Sequence, residues 1–114
     1  MDSFKHVIIL ITAADNEEAK LIAQVLLEQR KAACVNIVSS VSSIFRWQGV
    51  IKNETESLLI VKSSAALLND VIETVKEVHS YETPEIIALP IIGGSADYLE
   101  WLDESVESDE SPAA

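Results

Sequence analysis

The chain has 114 residues, 48% of them apolar, with only three glycines and three prolines, which is the composition of one globular domain rather than of a disordered segment. Nineteen acidic residues against eight basic ones leave a net charge of −11. That charge argues against binding to nucleic-acid phosphates or an anionic membrane surface and draws cations instead. The one cysteine, Cys34, can form no internal disulfide, and no apolar stretch reaches the length of a membrane span, so a soluble cytoplasmic protein is expected.

Residues 4–12 are a near-continuous Val/Ile/Leu run and read as a central strand; the run is too short, and its basic flank of Lys5 and His6 too weak, for a signal peptide. Asp15 is placed to cap a helix whose Ala19, Ile22, Ala23 and Leu26 share one face, with Arg30 and Lys31 expected in its last turn. Residues 32–44 read as a second strand, interrupted by serines that suggest a bulge. Residues 45–51 form a hairpin tip with Gly49 at the turn, and residues 57–62 a third strand. Ser63 or Ser64 caps a second helix with a stripe of Leu68, Val71, Ile72 and Val75, ending at His79. A fourth strand is expected over 85–92 and a short amphipathic helix over 97–102. The domain is expected to end there, leaving residues 103–114 as an acidic, fraying tail.

The order β-α-β-β-α-β plus a terminal helix is the α+β, ferredoxin-like sandwich: a four-stranded antiparallel sheet with two helices on one face. Its long apolar strands and aromatic hairpin tip offer more surface than one small domain can cover, and closed assembly is the expected remedy.

Six motifs in this order resemble the CutA divalent-ion tolerance family: Thr12-Ala13-Ala14-Asp15, Ala32-Ala33-Cys34-Val35-Asn36, Trp47-Gln48-Gly49, Leu59-Ile60-Val61-Lys62, His79-Ser80-Tyr81-Glu82-Thr83-Pro84-Glu85-Ile86 and Tyr98-Leu99-Glu100-Trp101-Leu102. The resemblance runs from about Val7 to Leu102. It implies a compact homotrimer built by inter-subunit sheet pairing and similar to the PII-type signalling trimers. It also implies a link to copper and other divalent cations, and no established catalysis. Ala14 and Ser80 stand where the family usually has proline. Ile11 and Val75 stand where some bacterial members carry extra cysteines, so one chain holds no thiolate-rich copper site.

His79 is a candidate ligand for Cu(II) or Zn(II), with Glu82 or Glu85 supplying oxygen; the alternative is a helix-terminal histidine favoured by the dipole. Cys34 is a candidate Cu(I) ligand, although a small buried hydrophobe is the commoner role of a free cysteine. Lys62, at the end of a buried strand, needs a carboxylate, and Glu85 or a neighbouring subunit is the expected source. Tyr81 and Trp47 are candidates for a ligand pocket or subunit interface. Tyr98 and Trp101 are expected to pin the last helix, and His6 to be exposed. No cofactor is required, and Cu(II) or another divalent cation is the candidate ligand. A structural trimeric scaffold is one alternative. An acylphosphatase-like enzyme is another, poorly supported because no arginine closes a phosphate loop after Gln48-Gly49-Val50.

Overall fold

The computed structural model describes residues 4–107, in the order β1 (His6–Ala13), α1 (Asn16–Glu28), β2 (Cys34–Trp47), β3 (Val50–Ser64), a 3-10 turn (Ala65–Leu67), α2 (Leu68–Val78), β4 (Ile86–Pro90) and α3 (Ala96–Ser105). The four strands form one antiparallel sheet in the order β2-β3-β1-β4, the ferredoxin-like arrangement expected from the sequence. β1 is central, and its side chains alternate strictly. Val7, Ile9, Ile11 and Ala13 are buried against the helices, together with Leu59 and Val61 of β3. Ile22 and Leu26 of α1 and Val71 and Val75 of α2 close that core.

β3 is much longer than β1, with 15 residues against 8. The β1–β3 ladder spans only Ala13↔Ser57 to His6↔Ser64. Beyond it, β2 and β3 continue as a two-stranded arm through Val41↔Glu56 to Trp47↔Val50. The sequence reading started β3 at residue 57 because Lys52, Glu54 and Glu56 are polar; they belong to a strand with no third partner, where alternation with Ile51, Asn53 and Thr55 needs no apolar face. The arm closes in a two-residue turn. Gln48 and Gly49 both have positive φ (51° and 80°), the geometry that matches strand twist.

The serines do mark a bulge: register shifts between Val38 and Val41, and Ser40 takes φ 60°. Asn16, at the start of α1, fastens this kink by donating to Ser39 Oγ (2.9 Å) and accepting from Ser57 Oγ.

Several end positions differ from the sequence reading. α1 stops at Glu28, so Arg30 and Lys31 lie outside its last turn. Arg30, at φ 56°, instead turns its guanidinium onto the carbonyl oxygens of Glu104, Ser105 and Val106, capping the negative end of α3. Ser63 is a buried strand residue that donates to the Lys31 carbonyl (2.6 Å), while Ser64 caps the 3-10 turn. α3 begins at its Ser95 cap and runs to Ser105, past the expected limit at 102. Leu102 and Val106 are buried with Leu67, and they rather than Tyr98 and Trp101 anchor this helix. Asp103 meets the Lys5 ammonium (3.3 Å) and His6 Nε2 (2.8 Å), so His6 is shielded, not exposed. Of the expected acidic tail, residues 108–114 lie outside the described residues.

These contacts make residues 103–107 part of the folded domain. A chain stopped after Leu102 is expected to lose about 2–4 kcal/mol relative to one stopped after Glu107, because it gives up Val106 burial and the Asp103 pairings. Urea denaturation of the two truncations checks this.

Candidate functional site

Between the end of α2 and β4 the chain crosses the end of β1 as a strap, from His79 to Glu85, and the strap borders the arm. His79 begins it as the C-cap of α2, in extended geometry. Its side chain is fully enclosed, and both ring nitrogens face main-chain groups: Nε2 lies 2.7 Å from the Thr12 carbonyl oxygen and Nδ1 accepts from the Tyr81 N–H at 3.0 Å. A carbonyl only accepts, so Nε2 carries hydrogen; an amide N–H only donates, so Nδ1 presents its lone pair. The imidazole is thus consumed as a cross-link between β1 and the strap and offers no free lone pair to a metal. Its ring also packs on Tyr81, with centroids 4.7 Å apart.

Glu18 holds the strap from the other side. It is the third residue after the Asp15 cap, which accepts from the Glu18 N–H (2.9 Å). Its carboxylate accepts from Ala14 N–H (2.9 Å) and Ser80 N–H (2.8 Å). Burial pushes the Glu18 carboxyl upward, but those hydrogen bonds outweigh it and hold the group below its ordinary value. A proline at position 80 would have no N–H to give; Ser80 gives one, and Glu18 takes it.

Tyr81 then turns its hydroxyl toward the arm and donates to Glu56 Oε2 at 2.8 Å. Burial, then this hydrogen bond and the charge of Glu56, push the phenol far above its usual value, so it stays a proton donor. Arm and strap enclose an open cleft of about 740 Å³. Its apolar lining comes from Ile44, Phe45 and Trp47; the rest carries Glu54, Glu56, Glu82 and Glu85, with Lys52 the only basic lining residue among the described residues. That size is typical of a small-ligand site.

The predicted residues therefore divide into separate places. Tyr81, Glu82, Glu85 and Trp47 share the cleft, and His79 supports it from beneath. Cys34 and Lys62 do not join them: they face each other in the β2–β3 register, four positions along β3 from Leu58, the partner of Thr12. Lys62 Nζ donates to Asn36 Oδ1, not to Glu85, because Glu85 precedes β4 on the far side of β1. Cys34 is half-buried beside Tyr98; burial, and then the thiol, push the Tyr98 phenol upward. Among the described residues no three His, Cys, Asp or Glu side chains converge closely enough to hold a metal ion. Sequence reasoning missed Glu56 and Glu18; the capping pattern of Asp15 with Glu18 three residues on was the available signal for the second.

A family profile described as CutA1 divalent ion tolerance protein matches residues 7–105. The divalent-cation tolerance protein CutA of Thermus thermophilus is 47% identical over 98 residues, covering 86% of this chain and 95% of its own length. The solved Thermus structure superposes with a TM-score of 0.88 over 90% of this chain and 99% of that one. A structure from Archaeoglobus fulgidus, described as a periplasmic divalent cation tolerance protein, is 47% identical with a TM-score of 0.87, over 90% of this chain and 99% of its own. The chloroplastic CutA protein of Arabidopsis thaliana is 40% identical over 90% of this chain, which spans only 56% of that protein's length.

The strap anchorage has a pH signature. Glu18 has a lowered value when folded, so its stabilising effect is complete above the unfolded carboxylate value, about pH 4.3, and is lost as pH falls through the lower folded value. Glu18→Gln is expected to cost about 2 kcal/mol at pH 7, with the gap to the natural protein closing below about pH 4. Denaturant midpoints taken from pH 7 to pH 3 measure it. His79→Ala, which orphans the Thr12 carbonyl and the Tyr81 N–H, is expected to cost a similar amount, about 2 kcal/mol, without changing the affinity for added Zn(II).

Proposed function

This chain belongs to the CutA1 divalent ion tolerance family, and from that membership we propose that it works as a homotrimer, binding a cation or small ligand in clefts at its subunit interfaces and carrying out no catalysis. The observation that carries the reading is the arm. A two-stranded ribbon is marginal in water by itself, and this one displays Ile44 (70% exposed), Ile51 (65%) and Val50 (58%) with no third strand behind them. A second apolar surface lies on the sheet face opposite the helices, where Ile87 and Leu89 stand out beside Leu10 and Ile60. A closed threefold assembly covers both surfaces and leaves no growing edge.

In this reading the response to copper and other divalent cations begins in the acidic cleft rather than at a preformed ligand cluster. Glu82 and Glu85 supply oxygen, Tyr81 and Trp47 line the pocket, and Cys34 and Lys62 sit at the sheet face expected to meet a neighbour. Cu(II) is the candidate cation. Cytoplasmic conditions suit the single thiol, although the Archaeoglobus relative is described as periplasmic. No helix among the described residues is long and apolar enough to cross a membrane.

Light scattering is expected to return a mass of three chains with or without added cation. Ile44→Asp combined with Ile51→Asp is expected to reduce it to one chain and to lower the denaturation midpoint, since each buried isoleucine contributes about 1.5–3 kcal/mol. An unchanged trimer in this double variant would remove the arm from the interface. A monomeric natural protein would leave the scaffold and trimer readings without support.

A further inference from the structure

Glu56 is the best-buried carboxylate among the described residues. Only 7% of the residue is exposed, and it forms part of the cleft wall. Among the described residues no lysine, arginine or histidine comes within ion-pair distance of it. One oxygen accepts from Tyr81; the other has no hydrogen-bond partner among the described residues, and since no unpartnered side-chain oxygen there is sealed from solvent, it is open. A buried carboxylate is ordinarily paired with a cation, because the desolvation it suffers is otherwise uncompensated. Here the chain supplies a hydroxyl where a positive charge is wanted, and leaves one oxygen free.

The surroundings say what kind of charge fits. A bare divalent metal ion needs several oxygen or nitrogen donors converging at about 2–2.6 Å, and no three candidate groups do so. The carboxylates are spread instead: Glu56 inside, Glu54 two residues along the same strand face, Glu82 and Glu85 across the cleft on the strap. Phe45 and Trp47 form an apolar wall of the same cleft further out along the arm, with Lys52 opposite Phe45 in the β2–β3 register. A hydrocarbon chain matches that wall, ammonium groups match the separated carboxylates, and the aromatic faces favour a cation lying over them.

We infer that the cleft binds a linear organic ammonium ion of the polyamine class, with one ammonium group on Glu56, its methylene chain along Phe45 and Trp47, and a second ammonium group at the rim carboxylates. The inference rests on the proposed role of the cleft as a ligand site and names its ligand class. A bare metal ion is then the competing occupant rather than the preferred one.

Calorimetric titration of the full chain with spermidine, and separately with Mg(II) and Zn(II), tests this at constant ionic strength, with the oligomer mass followed in the same samples. Spermidine is expected to saturate at one site per chain. Glu56→Gln, which keeps an acceptor for the Tyr81 hydroxyl, is expected to weaken it at least tenfold, and Glu77→Gln, on the exposed face of α2, to leave it unchanged. Should Glu56→Gln fail to fold, the rim pair Glu54→Gln and Glu85→Gln is expected to show the same loss. Spermidine binding that does not saturate, or that is equal in all variants, overturns the inference and reports only attraction to a chain of charge −11. Zn(II) or Mg(II) that saturates through Glu56 and displaces spermidine overturns the ligand class while keeping the cleft as a site. A trimer in which nothing binds through Glu56 overturns both the class and the ligand-site reading.

Discussion

β3 is nearly twice the length of β1, and the ladder between them ends at Ala13↔Ser57. On the paired side of that limit the sheet has a helical layer, alternating burial and a closed core. On the other side β3 has only β2. Only the main-chain groups that face each other pair within the ribbon, its side chains are not covered, and burial rather than backbone pairing supplies most of the stabilisation of a strand pair. The unsupported length therefore has two consequences. It creates a concave space beside the strap, and it sets out apolar surface that a monomer has no means to bury. Cleft and exposed apolar arm follow from one mismatch in strand length.

The strap is fixed to this edge by hydrogen bonds from main-chain groups more than by apolar packing. Thr12 O, Ala14 N–H, Ser80 N–H and Tyr81 N–H would all be left unpaired by a chain that merely crossed the strand end. His79 and Glu18 take them up, two each. This makes Tyr81 a rigid donor, since its own N–H is held by the imidazole while its hydroxyl is held by Glu56. The bulge at Ser40 is the matching device on the other wall. It bends β2 where the arm leaves the sheet, and Asn16 at the start of α1 ties it to β3 through Ser57. Both walls are thus anchored to the N-terminal end of α1, so the cleft has a defined width.

Element order, strand pairing and the buried faces of both helices were legible in the amino-acid pattern, because they rest on periodicity. What was not legible rests on other physics. Lys52, Glu54 and Glu56 fell outside the expected third strand because a strand without a covering layer shows no apolar alternation. Val106 read as tail because a single apolar residue in an acidic stretch carries no period, although it fills the gap beside Leu67 and Leu102. His79 was visible as a residue able to ligate, but its partners are a carbonyl and an N–H, groups that every residue has and no sequence distinguishes. Cys34 and His79 were grouped by chemistry, and the register of β3 sets them apart. Glu56 escaped notice since one more glutamate among nineteen acidic residues is unremarkable until its burial is known.

The charge of the chain and the acidity of its cleft bear on one another. A chain of net charge −11 repels its own copies, and the apolar arm must overcome that repulsion for three of them to associate. Each cleft lies against the arm that would form the contact, so a cation seated on Glu56 reduces the negative charge at the place where copies meet. By linkage, a cation that binds the assembled form more tightly than the separated one stabilises assembly to the same degree that assembly tightens binding. A site that lacks its own countercharge is destabilising in isolation. Placed at a subunit contact, it would make an assembly responsive to the cations around it, a property that a fully paired Glu56 would not have.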